Sequence, residues 1–348
     1  MNWQIPSEPF TALAPMQEIT DLAFWRTMQQ CGGGPDLYVT EYFRVHVHSN
    51  LEKHILGSIL ESPTKRPVLA QLIGQDEVEV RRTARELLEY EEVAGIDLNL
   101  GCPAPVVCSK NAGGGLLRNL EHVDRLLGAL REECGERLFT VKTRLGFEEA
   151  DECEKLLEVF TRHDLDLLSV HGRTVKDRYQ TPVHDEMVAK VVAAMPCPVL
   201  ANGNVVDVAT GLAYWRKTGA AGLMIGRGAI RNPWLFSQMA AAWSGKELVP
   251  VMRRQLLEYI EILWEETACA RLLFKRDFHE GKHVQKMKRY LNYILSGLNE
   301  EVEFRVKRVK EKGELFALLR DALDNEEPMP ALPPERSKLF CGFSQLLE

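Results

Sequence analysis

Eight short apolar or β-branched runs, separated by stretches of helical spacing, constrain this chain more than any other feature. They lie at Phe10 to Ala14, Leu37 to Thr40, Pro67 to Gln71, Gly95 to Asn99, Leu138 to Lys142, Leu167 to His171, Pro198 to Asn202 and Gly222 to Gly226. Helical spacing fills the gaps, as at Asp76 to Glu92, Glu121 to Glu133, Ala150 to His163 and Glu186 to Ala194. The runs are apolar throughout rather than alternating, as expected of strands buried on both faces of a parallel sheet. Eight such units fit an α/β fold of the (β/α)8 TIM barrel kind, which needs about 250 residues. A doubly wound sheet fits less well, because no GxGxxG turn follows the first run.

Beyond Trp234 the strand signals stop. Met252 to Ala270, Gly281 to Leu298, Val302 to Lys310 and Leu315 to Leu323 have helical spacing only, which predicts a compact all-helical bundle. The 348-residue chain is therefore divided into a barrel domain, 1–244, and a helical domain, 245–348. The run Glu327-Pro328-Met329-Pro330-Ala331-Leu332-Pro333-Pro334 cannot continue a helix and reads as an extended strap leading to a short tail.

Charge follows the same division. The formal net charge is −7, yet Arg271 to Lys312 holds twelve Lys or Arg against six Asp or Glu. Such a concentration is what a nucleic-acid-binding face requires, and a solvated helical face has the same look. No apolar stretch of about 18 residues is present and the N-terminus lacks a basic region followed by an apolar run, so no membrane partner is expected and the chain is read as cytoplasmic. A monomer is expected. The eight cysteines are scattered, without CxxC pairs, and no carboxylate completes a ligand set with His46, His48 and His54. No metal site is expected.

A barrel carries its reactive groups at the C-terminal ends of its strands. Those ends are polar here: Ala14-Pro15-Met16, Thr40-Glu41, Gln71, Asn99 with Cys102 beyond it, Lys142-Thr143-Arg144, His171-Gly172-Arg173-Thr174, Asn202-Gly203-Asn204 and Gly226-Arg227-Gly228. The last two, after strands seven and eight, offer flexible backbone where barrels commonly hold a phosphate, and Arg227 could add a bidentate contact. Glycines serving only tight turns would look similar at either place alone. Lys142 could form a Schiff base or stay protonated to hold negative charge. Gln71 and Asn99 each offer a donor and an acceptor to the edge of a planar heterocycle. The set suits a flavin. Cys102, just past a strand end, could be a nucleophile, a metal ligand or a redox thiol.

These residues also carry a family resemblance. Leu13-Ala14-Pro15-Met16 with Ile19-Thr20-Asp21, Asp97-Leu98-Asn99-Leu100-Gly101-Cys102-Pro103, Gly113-Gly114-Gly115, Val141-Lys142-Thr143-Arg144, Val170-His171-Gly172-Arg173-Thr174, Asn202-Gly203 and Ile225-Gly226-Arg227-Gly228 resemble, in order, the tRNA-dihydrouridine synthases. The segments Thr40 to Val45 and Lys286 to Leu291 look most like the bacterial C-type branch. The resemblance covers roughly residues 10 to 235, and the helical domain more weakly.

It implies an FMN-dependent enzyme, recharged by NADPH or NADH, that reduces a uridine of tRNA to 5,6-dihydrouridine. Hydride would pass from the flavin to C6 of the uracil, and C5 would receive a proton from Cys102. Pro15, Met16 and Gln17 would line the flavin, Gln71 would contact its ring, Lys142 would face its N1 and O2 side, and His171 would lie beside it. Asn202, Gly203, Asn204, Gly226 and Arg227 would hold the phosphate, and Asn99, Arg144 and Arg173 the substrate. Cys108 is a rival donor that lies outside the motif. Two positions depart from the family pattern: Glu18 stands at a usual glycine and Asn204 at a usual acidic residue. Two other functions compete with this one: an FMN barrel oxidoreductase acting on a free small molecule, and an RNA-binding protein without catalysis.

Overall fold

The computed structural model describes residues 3–177, 181–274, 278–330, 332–334, 337 and 339. Among the described residues, nine parallel strands occupy eight barrel positions. They are β1 (Phe10–Leu13), β2 (Tyr38–Val39), β3 (Phe43–Arg44), β4 (Val68–Ile73), β5 (Val93–Leu100), β6 (Leu138–Arg144), β7 (Leu167–His171), β8 (Val199–Asn202) and β9 (Gly222–Ile225). The sheet order is β1-β9-β8-β7-β6-β5-β4-β2, with β3 also on β4. Leu13 N donates to Leu37 O at 3.1 Å and Leu37 N to Thr11 O at 3.1 Å, which brings the two ends of the sheet together. This is the TIM-barrel architecture that the alternation predicts.

The second strand is the one that differs from expectation. On β4 the register advances from Leu69 to Leu72 while its partner advances from Val39 to Phe43, so one extra residue is accommodated between β2 and β3. An extra residue of this kind re-aims side chains at a barrel rim, here those of Glu41 and Tyr42.

Helices α1 (Leu22–Gln30), α2 (Lys53–Leu60), α3 (Glu77–Leu88), α4 (Pro105–Cys108), α5 (Leu120–Cys134), α6 (Cys153–Phe160), α7 (Asp185–Ala194), α8 (Val208–Thr218), α9 (Arg227–Arg231) and α10 (Leu235–Trp243) accompany the strands. Several start on side-chain caps that satisfy first-turn N–H groups: Asp76 accepts from Glu79 N at 3.1 Å, and Asp207 from Thr210 N at 2.8 Å. The core has two parts. Outward strand residues and the helices form one large cluster, while Phe10, Ala12, Leu37, Val39, Leu69, Leu167 and Leu200 fill the barrel interior, with Trp3 and Ile5 packed against them. The apolar filling occupies the lower interior and leaves the strand C-termini to polar residues.

Four further helices follow: α11 (Arg253–Leu273), α12 (Glu280–Ile294), α13 (Glu300–Val306) and α14 (Lys312–Leu323). None of the described helices is long and apolar enough to cross a membrane. Helix α11 packs along α1, and α12 against α9. Polar ties accompany the packing. Tyr290 Oη donates to Ile19 O at 2.9 Å, Lys286 Nζ to Asp21 Oδ2 at 2.7 Å, and Arg289 pairs with Glu18. Arg231, buried at the end of α9, donates to Ser296 O at 3.2 Å and Pro330 O at 2.6 Å. The proline-rich strap runs antiparallel beside the start of α11, with Met329 N donating to Val251 O at 2.8 Å. Ala331 within the strap, Lys275 and Arg276 within the basic stretch, and Cys341 lie outside the described residues.

Candidate active site

Strand register brings the polar ends together. Asn99 on β5 lies opposite Lys142 on β6, and Arg144 on β6 opposite His171 on β7, which in turn faces Asn202 on β8. With Ala14, Pro15, Met16, Gln17, Cys102, Gly203, Asn204, Gly226 and Arg227 they line a cavity of about 690 Å³ at the C-terminal mouth of the barrel. That volume suits a cofactor-sized ligand.

On the β5–β7 side the cavity wall is made of side chains. Asn99 Oδ1 accepts the N–H groups of Gly101 at 3.1 Å and Cys102 at 2.9 Å, folding the turn that follows β5 so that Cys102 faces the cavity. Burial raises the Cys102 thiol pKa, against the lowering pull of Arg144 and Lys142, so the thiol is protonated at neutral pH. Cys108 points away, giving its thiol to the Cys102 carbonyl at 3.4 Å, and does not line the cavity. Burial, with the Arg144 guanidinium beside it, pushes the Lys142 ammonium down to about 8, and its Nζ donates to Asn202 Oδ1 at 3.4 Å. Burial and the same cationic neighbours hold His171 well below the ordinary imidazole value, hence neutral at pH 7. Arg144 donates to Gly101 O at 2.9 Å and Thr174 O at 2.6 Å, bracing the Cys102 turn from below.

The β8–β9 side is shaped by backbone. Gly203 has φ +142, and a Cβ there would meet Val183 Cγ1 at 2.8 Å. Asn202 is anchored by its amide to Met224 O at 2.8 Å, and Arg227 opens α9 next to Gly226.

The match to known proteins agrees with this geometry. The dihydrouridine synthase (Dus) family model matches residues 12–327. The chain belongs to the dihydrouridine synthase family. A Helicobacter pylori protein named "Probable tRNA-dihydrouridine synthase" is 33% identical over 270 residues, covering 77% of this chain and 81% of its own length. A Staphylococcus epidermidis protein of the same name is 29% identical over 332 residues, 93% of this chain and 96% of its own. "Probable tRNA-dihydrouridine synthase 2" of Bacillus subtilis is 29% identical over 271 residues, 76% of this chain and 82% of its own.

Both departures from the dihydrouridine synthase pattern have a structural counterpart. Glu18 adopts φ 63, a conformation that favours glycine, and is held there from two sides: its N–H donates to a carboxyl oxygen of Glu41 and its own carboxylate pairs with Arg289 of α12. Asn204 sits at φ 49, which asparagine tolerates, and its Oδ1 accepts from Arg173 at 3.2 Å.

Two expected site residues lie behind the cavity wall. Gln71 is fully buried, donating to Asp97 Oδ2 at 2.7 Å and accepting from Asn99 at 2.9 Å. Arg173 is fully buried too, donating to Thr181 O at 2.8 Å and lying 3.4 Å from His171 Nε2. Conversely, Tyr42 and Leu339 line the cavity without having been singled out as site residues. The extra residue between β2 and β3 brings Tyr42 inward, and no apolar pattern signals it. Leu339 is buried at the mouth from a tail far away in sequence. Among the described residues, no group of three or more His, Cys, Asp or Glu is arranged to hold a metal ion.

Proposed function

We propose that this chain reduces a uridine of tRNA to 5,6-dihydrouridine, using FMN in the barrel mouth and NADPH or NADH as the reductant. The observation that carries this reading is the union, in one cavity, of a half-buried protonated thiol, a half-buried lysine and a glycine-shaped loop pair. The cavity fits a flavin mononucleotide on its own chemistry. Gln17 Oε1 is buried with no hydrogen-bond partner among the described residues, an acceptor at the cavity wall available to a ligand donor. Lys142 and Arg227 offer positive charge, and Gly203 and Gly226 leave room for a phosphate against the backbone.

Pro15, Met16, Gln17, Lys142 and His171 would hold the ring, while Asn202, Gly203, Asn204, Gly226 and Arg227 would hold the phosphate. When bound and reduced, the flavin supplies hydride to C6 of uracil. The chain's own part is to supply the proton. Cys102 keeps its proton at neutral pH and donates it to C5, a contribution worth about 10²- to 10⁴-fold for a positioned general acid. Asn99 and Arg144 orient the base at the Cys102 turn. Arg173, one layer behind, holds Asn204 and the β7 loop. The helices from residue 245 onward, with their basic stretch, form a tRNA-binding domain. Their contacts bind the folded RNA and offset the few kcal/mol needed to unstack the target base.

A reconstitution tests this. The purified protein is expected to be yellow, or to become so with FMN, and with NADPH to convert uridine in a tRNA transcript but not free uridine or uracil. A preparation that stays colourless with added FMN would remove every flavin reading, and conversion of the free base would favour the small-molecule oxidoreductase.

A further inference from the structure

One pleat below the cavity, strand pairing sets Gln71, Asp97 and Thr140 in a row across β4, β5 and β6. None of the three lines the cavity. Thr140 Oγ1 donates to Asp97 Oδ1 at 2.6 Å, Gln71 Nε2 donates to Asp97 Oδ2 at 2.7 Å, and Asn99 Nδ2 donates to Gln71 Oε1 at 2.9 Å. Asn99 Oδ1 then accepts the N–H groups of Gly101 and Cys102. A side-chain amide can be turned end for end with little change of shape, but an ionised carboxylate only accepts. The carboxylate therefore forces Gln71 to present its NH₂ group, Gln71 presents its oxygen to Asn99, and Asn99 presents its oxygen to the turn. Reversed amides would aim an NH₂ group at two backbone N–H groups and leave the turn unheld. Burial of a carboxylate in a barrel interior is costly: Asp97 is 2% exposed, and burial pushes its carboxyl up to about 6 against the Thr140 and Gln71 hydrogen bonds, so that it is ionised at neutral pH and protonated only below that value. An apolar residue would fill the same space without setting any direction.

We propose that Asp97 is a positioning residue, which fixes the direction of the Gln71 and Asn99 amides and so holds the Cys102 turn with its thiol facing the substrate. The proposal rests on the reading of Cys102 as the proton donor. It extends that reading to a side chain that never meets cofactor or substrate.

The test moves the carboxylate along the chain of bonds. Thr140→Val alone leaves Asp97 to direct Gln71. Adding Asp97→Asn removes the direction, because the new amide can face Gln71 with either end and valine does not discriminate between them. Adding Gln71→Glu restores it, since the amides at 97 and 99 must both donate to a carboxylate placed between them. The readout is the rate of iodoacetamide alkylation at Cys102, assigned by peptide mass spectrometry, which needs neither flavin nor RNA. Dihydrouridine formation in tRNA is followed alongside.

Thr140→Val should stay within about twofold of the parent in alkylation. Adding Asp97→Asn should speed alkylation of the released thiol several-fold and slow uridine reduction on the order of tenfold, as for removal of an orienting outer partner. Adding Gln71→Glu should bring alkylation back to the Thr140→Val rate. Unchanged alkylation on Asp97→Asn, or no recovery with Gln71→Glu, overturns the proposal. If the double variant does not fold, the triple variant is expected to, because each donor again has an acceptor, and an unfolded triple variant overturns the proposal equally. A parent protein that never reduces uridine would remove the role of Cys102 as donor, while the alkylation series still decides whether Asp97 holds the turn.

Discussion

The two sides of the barrel mouth are built in different ways. On the β5–β7 side, position is set by side chains bonded to one another: Asn99 holds the Cys102 turn, Arg144 braces it, and Lys142 reaches Asn202. On the β8–β9 side, position is set by the absence of side chains, at Gly203 with φ +142 and at Gly226, where a Cβ would come within 3.3 Å of Ala14 and Met16. The first side can tune charge and hold a proton, because burial and neighbouring cations shift its groups. The second chiefly admits or excludes a ligand, with Arg227 adding charge at its rim. Apart from Lys142, which bridges to Asn202 on β8 and so belongs to both sides, substitutions on the first side should therefore damage chemistry and leave binding intact, and those on the second should do the reverse.

The largest separation is expected from Cys102→Ala. Uridine reduction should fall by at least about 10²-fold, the usual scale for losing a general acid, while FMN titration of the same protein stays unchanged. Equal loss of FMN binding would break the contrast. Gly203→Ala is the mirror experiment. Its Cβ would sit 2.8 Å from Val183 Cγ1 in a conformation that costs about 1–3 kcal/mol for a residue other than glycine. FMN should be held roughly tenfold more weakly, with Cys102 alkylation at the parent rate.

Lys142 links the two sides through Asn202, and pH reads the link. Its ammonium, depressed to about 8, is charged below that pH and neutral above it. The affinity of the flavin-free protein for FMN, followed by fluorescence quenching, should be high at pH 7 and decline as pH rises through about 8. Lys142→Met should bind more weakly at pH 7 and lose the decline. A decline that persists in Lys142→Met would assign it to another group.

The smallest effect concerns the outer support of the β1 loop. Tyr290→Phe removes the bond to Ile19 O and should lower thermal stability by about 1 kcal/mol, with FMN affinity within about twofold. A large loss of FMN would mean that α12 shapes the cofactor site as strongly as the barrel does.

How far the sequence reached follows from the kind of signal each feature leaves. Strands buried on both faces leave unbroken apolar runs, so all eight barrel positions were visible, and the ends of those runs identified Cys102, Lys142 and Asn202 as neighbours at one mouth. The apolar run from Pro67 marked Gln71 as a strand end and hence as a cavity residue, but β4 continues to Ile73, which leaves Gln71 one layer back, bonded to Asp97. Arg173 follows a strand end as Arg144 does, yet a turn of backbone sends it behind the wall toward Thr181. The extra residue that aims Tyr42 inward changes no apolar pattern, and the arrival of Leu339 at the mouth depends on the path of a chain more than a hundred residues beyond the last strand.

Reduction of a tRNA uridine at this mouth, with Cys102 as the acid, is tested by dihydrouridine mapping of tRNA from cells lacking the gene, complemented with either the parent gene or Cys102→Ala. At least one dihydrouridine position should disappear on deletion, return with the parent gene and stay absent or faint with Cys102→Ala. Every position persisting in the deletion strain, or full restoration by Cys102→Ala, would contradict it.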